Sequence, residues 1–115
     1  MPLDKRDAGY LWDMLDSAKS VFEFTGGISQ DEYLENRMCQ LAVERSLEII
    51  GEAAKRVSDG FKREHDEIPW RSLIGLRNVL AHEYGEIKRE RIWVLAKKEI
   101  PELIGILNRL LPGAD

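Results

Sequence analysis

Residues 38–57 read MCQLAVERSLEIIGEAAKRV, and this stretch decides the fold. Cys39, Val43, Leu47, Ile50, Ala54 and Val57 recur three and four apart, with Met38, Ala42, Ile49 and Ala53 beside them. That spacing places them on one stripe of an α-helix, and nothing in the stretch alternates with the period of two that a half-buried strand requires. The pattern predicts a long helix ending at Val57 or Ser58, with Asn36 as a place where its start can break.

Upstream, Leu11, Leu15, Ala18 and Phe22 form a second helical stripe over residues 7–24, widened by Tyr10, Met14 and Val21. Thr25-Gly26-Gly27 stops it, because glycine readily takes the left-handed conformation past a helix end. Ser29 or Asp31 can cap the next helix, and Glu32 stands three residues after Ser29 as in a capping box. Downstream, Glu67-Ile68-Pro69-Trp70 opens a third helix, with proline in the first turn where its missing N–H costs least. Leu73, Leu76, Leu80 and Ala81 are its expected buried face. Gly85 interrupts, and a fourth helix runs from about Lys88 to Leu111, which Pro101 should kink or split. The fold class is therefore all-α, a four- to five-helix antiparallel bundle.

With 115 residues the chain holds one core, and residues 1–115 read as a single domain. A hydrophobic share of 43% beside 33% charged residues fits a globular chain and excludes a disordered one. No apolar run is long enough to span a bilayer, the first residues lack a secretory signal, and Cys39 is the only cysteine. A cytoplasmic protein without membrane attachment, disulfide, metal site or cofactor is expected. The net charge of −4 argues against a general nucleic-acid coat, and no DNA partner is expected. The charge is uneven, however: residues 71–98 carry seven Lys/Arg against three Glu, whereas residues 1–70 carry nine against fifteen Asp/Glu.

Inside that basic region stands Arg77-Asn78-Val79-Leu80-Ala81-His82-Glu83-Tyr84. His82 can take and give a proton near neutral pH, and Arg77 carries a planar fork of donors that matches phosphate oxygens. Asn78 adds a neutral hydrogen-bonding group and Tyr84 a phenol. Arginine and histidine without a metal cluster suggest cleavage of RNA by its own 2′-hydroxyl, with His82 moving the proton and Arg77 stabilising charge on phosphorus. The spacing alone decides little, since an arginine shortly before a histidine is common by chance. On one helix, positions five apart also diverge by about 140°. A site shared between two protomers across a two-fold axis relieves that divergence.

The chain resembles the HepT-like group of the HEPN ribonuclease superfamily along nearly its whole length. The resemblance rests on Tyr10-Leu11-Trp12-Asp13-Met14-Leu15, Glu48-Ile49-Ile50-Gly51-Glu52-Ala53-Ala54-Lys55-Arg56-Val57-Ser58 and Ile68-Pro69-Trp70, followed by the Arg-x4-His-x-Tyr signature at 77–84. Ile92-Trp93 and Ile100-Pro101-Glu102-Leu103 complete it. It implies a dimerising HEPN-like bundle and a metal-independent endoribonuclease toxin of a toxin–antitoxin pair. Its expected partner is an MntA-like minimal nucleotidyltransferase that neutralises the toxin by attaching AMP to the motif tyrosine. On that basis Arg77 and His82 are catalytic, Asn78 is a polar helper and Tyr84 is the modified residue. Gly85-Glu86-Ile87 directly after Tyr84 makes the connection to the last helix shorter than in many relatives.

Glu52 admits two readings. It can hold Arg77 or His82 in place, or pair with Arg56 while Glu48 pairs with Arg45 on the helix surface; it is carried here as a supporting residue. Trp12, Trp70 and Trp93 read as core or interface, Cys39 as core and His65 as a surface turn residue. Two functional classes remain: an RNA-cleaving toxin subunit, and a catalytically silent module that binds a nucleotide or a nucleotidyltransferase.

Overall fold

The computed structural model describes residues 3–82 and 85–114, and every regular element among them is helical. Three long helices form the frame: α1 (Lys5–Thr25), α3 (Arg37–Arg56) and α7 (Gly85–Leu110). Four short ones complete it: α2 (Gln30–Glu35), α4 (Asp59–Glu64), α5 (Trp70–Ile74) and α6 (Leu76–His82). The all-α, HEPN-like bundle expected from the sequence is what forms, with more segments than expected.

The helix ends follow local chemistry. Asp4 caps α1 by accepting from the backbone N–H groups of Arg6 and Asp7. Ser29 and Glu32 form the reciprocal capping box at α2. Asn36 breaks α2 from α3 and caps the latter, its Oδ1 accepting from the Cys39 N–H at 2.9 Å. Gly27 takes the left-handed φ of 77° past the end of α1.

Contacts at both ends of α1 fix the topology. Its start meets the end of α3, where buried Asp7 accepts from the Ser58 N–H and Oγ–H at 2.9 and 2.7 Å. Its end meets the start of α3 through the Cys39 Sγ–H, donated to the Phe24 carbonyl. On α7, Lys97 Nζ donates to the Thr25 carbonyl at 2.8 Å and stands 4.9 Å from the Trp93 ring centre. That lysine satisfies a carbonyl at the C-terminus of α1, where a cation also complements the helix dipole. Thus α1 runs antiparallel to α3 and α7. The core between them is aliphatic: Leu11, Met14, Leu15, Leu47, Ile50, Ile100, Leu103 and Leu107 are all buried.

Several sequence expectations are corrected. Phe22 is exposed, and Val21 and Thr25 carry the buried row to the end of α1. Pro101 does not split the last helix; buried Ile100 and Leu103 flank it and anchor both arms of one continuous α7. That helix starts at Gly85, with a φ of 63°, rather than near Lys88. Cys39 is half-buried at the edge of the core. Partial burial pushes its thiol above the usual cysteine range. The expected third helix is two helices separated by Gly75, so Ala81 is exposed and Leu80 only half-buried. Residues 59–64 form a further short helix, capped by Ser58.

One close approach places the motif. At Gly51 a Cβ would lie 2.9 Å from the Leu73 carbonyl oxygen, inside normal contact distance. The absence of a side chain there lets α5 sit directly on α3, and α6 follows from α5.

Candidate active site

Arg77, Asn78 and His82 all lie on α6, whose buried residue is Leu76. The helix continues through both Arg77 and His82, so no bend brings the two together. Five residues at about 100° and 1.5 Å each put them about 140° apart around the axis and about 7.5 Å apart along it. The grooves on either flank of α6 agree with that geometry. Arg77, Leu80 and Ala81 line a groove against α3, facing Leu41, Glu44, Arg45 and Glu48. Leu76 and Val79 line a second groove, against α7. By helical angle, His82 stands about 60° from Val79 and about 140° from Arg77, and it lines neither groove.

All three motif side chains are exposed, and none has a hydrogen bond or ion pair to a described residue. The acids near Arg77 explain why its guanidinium is uncommitted. Glu48 is paired with Arg45, as the surface reading of that helix expected. Glu44 is paired with Lys88 at 2.9 Å, with both side chains mostly shielded from water. The Glu44–Lys88 bridge ties the first turn of α7 to α3, and the sequence reading had missed it. Only the meeting of α3 and α7 brings together two residues 44 positions apart in the chain.

Glu52 is exposed and bonds to none of Arg56, Arg77 and His82 among the described residues. Within the groove beside Arg77, Glu44 and Glu48 are the carboxylates present. Tyr84 lies outside the described residues. Among the described residues, α6 ends at His82 and α7 starts at Gly85.

His65 caps the end of α4, its ring stacked on Phe61 with centres 4.2 Å apart, and its carbonyl accepts from the Trp70 indole N–H at 2.9 Å. It is a structural turn residue, as expected. Trp70 is buried, and Trp93 packs against buried Tyr33 with ring centres 5.3 Å apart, so both serve packing.

The model of a family described as "Ribonuclease HepT-like" matches residues 14–110, which takes in α6 and all three long helices in most of their length. The chain belongs to the HepT-like ribonuclease family. Among relatives of this HepT-like chain, one of Thermococcus cleftensis, named as a probable ribonuclease HepT, is 40% identical over 101 residues. That alignment covers 88% of this chain and 92% of the relative. A protein of Methanocaldococcus jannaschii, provisionally named as an RNase, is 39% identical over 88% of this chain and 94% of its own. Another of Caldanaerobacter subterraneus, named in the same way, is 38% identical over 82% of this chain and 84% of its own. No solved structure matches the chain. None of the described helices is long and apolar enough to cross a membrane.

Proposed function

We propose that residues 1–115 act as one HEPN-like domain, a metal-independent endoribonuclease toxin of a toxin–antitoxin pair that works as a homodimer. The observation that carries this reading is the placement of an uncommitted arginine and an exposed histidine on opposite flanks of one short helix, in a chain of a ribonuclease family. Both residues are exposed, and on one helix their side chains diverge. Two copies related by a two-fold axis let Arg77 of one protomer meet His82 of the other. Exposed apolar side chains near Arg77 favour such pairing: Leu41 is 50% exposed in its groove, and Met38, one turn earlier on α3, is 82% exposed.

In the proposed reaction His82 accepts the proton of an RNA 2′-hydroxyl. The oxygen attacks the adjacent phosphorus, and the bond to the 5′-oxygen of the next nucleotide breaks. Arg77 donates two hydrogen bonds to the non-bridging oxygens as their charge builds. The leaving 5′-oxygen takes up a proton, so the products are a 2′,3′-cyclic phosphate and a free 5′-hydroxyl. Asn78, exposed on the same helix, contributes a neutral hydrogen bond to the substrate. Nothing in this scheme asks a metal ion to move a proton or hold a charge, and cleavage should persist in EDTA.

Regulation is proposed to act through Tyr84. An MntA-like nucleotidyltransferase transfers AMP from ATP to its phenolic oxygen and releases pyrophosphate. The added phosphate, two residues beyond His82, can then occupy the guanidinium fork that the RNA needs, and the nucleoside blocks entry. Glu52, exposed on α3 and unpaired among the described residues, is a candidate support in the assembled dimer.

The decisive experiment expresses the chain alone while growth and RNA integrity are followed. Wild type should arrest growth and leave cyclic-phosphate ends, and His82→Ala should do neither while still sedimenting as a dimer. RNA left intact by well-folded wild type would favour the silent binding module instead. Peptide mass mapping after co-expression with the nucleotidyltransferase should find AMP on Tyr84, and AMP on Tyr10 or Tyr33 would overturn the regulatory part.

A further inference from the structure

The two grooves beside α6 differ in charge. On the α3 side, Arg77 and Arg45 share their groove with Glu44 and Glu48, so its formal charge is balanced. On the α7 side lies an open groove of about 660 Å³, with Leu76 and Val79 on one wall and Arg91, Val94, Lys98 and Glu99 on the other, two cations against one carboxylate. That volume falls within the range of roughly 300–1,000 Å³ typical of sites that hold a molecule rather than an ion. Arg91, Val94 and Lys98 stand three and four apart, so they share one face of α7 and run along the groove. Val94 is 50% exposed, which leaves an apolar floor one turn from Lys98.

The neighbouring Lys97 is committed to the Thr25 carbonyl, whereas Lys98 is exposed and bonds to no described residue. Residues 71–98, which supply both walls, carry a formal charge of +4 in a chain whose total is −4. On α6, His82 lies about 60° around the axis from Val79 at the edge of this groove, beyond its lining residues.

We propose that the α5–α6/α7 groove is the track for single-stranded RNA next to the scissile bond, with Lys98 holding a backbone phosphate and Val79 and Val94 lying under the bases. This rests on the ribonuclease reading above and adds where the substrate runs. A cationic groove with an apolar floor is what a sequence-tolerant single-strand site requires. It predicts that the enzyme needs several unpaired nucleotides on one side of the cut.

The test is fluorescence anisotropy with a labelled oligoribonucleotide methylated at every 2′-hydroxyl, which full-length wild-type protein can bind but not cut. Lys98→Glu should weaken binding about tenfold or more, and Val94→Asp severalfold. Lys98→Gln should lower the slope of log affinity against log salt by about 0.7, the loss of one single-strand phosphate contact. Lys55→Glu, the same charge change at an exposed site near the far end of α3, should stay within twofold. Equal losses for Lys98→Glu and Lys55→Glu would overturn the track, as would wild type that cuts RNA yet ignores the methylated strand. A change of oligomeric mass in Lys98→Glu would show a self-association face instead and overturn it too. Wild type that neither binds nor cuts RNA would remove the ribonuclease reading itself.

Discussion

The three-helix frame and the short helix α6 are built to different rules. Along α1, α3 and α7, aliphatic side chains are buried in register, and polar groups at the ends are tied by Asp7, Asn36 and Lys97. On α6 a single residue, Leu76, is buried, and Arg77, Asn78 and His82 are exposed, without partners among the described residues. One region holds the shape, and the other is the one proposed to meet the substrate. Changes in the two should therefore separate stability from activity.

The largest effect expected on the active side is that of His82→Ala. Removing one positioned proton-transfer group costs about a hundred- to ten-thousand-fold in rate. Because the side chain is exposed, the melting temperature should stay within experimental scatter of wild type, and RNA cleavage assays beside thermal denaturation check both halves. The mirror experiment is Ile50→Ala in the frame, where a fully buried side chain is lost. It should cost about 2–5 kcal/mol of stability by chemical denaturation, while the fraction still folded keeps its cleavage rate per molecule.

Gly51→Ala tests where the two regions join. A methyl group 2.9 Å from the Leu73 carbonyl must push α5 away from α3, and overpacking of this kind costs about 1–3 kcal/mol. Since α6 is carried by α5, cleavage should fall further than stability alone explains. A variant that loses stability but retains full specific activity would show that the motif is positioned independently of this contact. The smallest effect is expected at Tyr33, whose ring is buried and whose hydroxyl has no hydrogen-bond partner. Burial and the nearby Glu44 carboxylate hold that phenol in its neutral form well above the usual tyrosine range. Tyr33→Phe removes an unsatisfied polar atom and keeps the packing on Trp93, so denaturation should show no loss, or a gain of up to about 1 kcal/mol.

The frame was legible in the sequence because its signals are local and repeated. The stripe from Cys39 to Val57, the glycines after Thr25 and the Ser29/Glu32 box each state their meaning within a few residues. What escaped depends on tertiary context. Leu80 and Ala81 fit a helical stripe begun at Leu73, but Gly75 restarts the helix and changes which side faces α3. Phe22 and Val21 are neighbours on the same stripe, and only the position of α3 and α7 decides which is covered. Of the site, the residues Arg77, Asn78 and His82 were legible as a motif. The Glu44–Lys88 bridge and the two unlike grooves were not, because each pairs segments far apart in sequence. Pro101 does not split α7 for a related reason: the proline's local cost was readable, while the anchoring by Ile100 and Leu103 was not.

The shortness of α6 also sets a timescale. A seven-residue helix closes only a few internal hydrogen bonds, and with one buried side chain little holds it against opening. Its amide protons should exchange with solvent orders of magnitude faster than those at the centres of α1 and α3, in excursions that leave the frame folded. The segment that carries Arg77 and His82 can thus change shape as it engages a strand, and its ordering becomes part of the free energy of engagement. Amide exchange slowed specifically at 76–82 by an uncleavable strand would be the direct trace of that coupling.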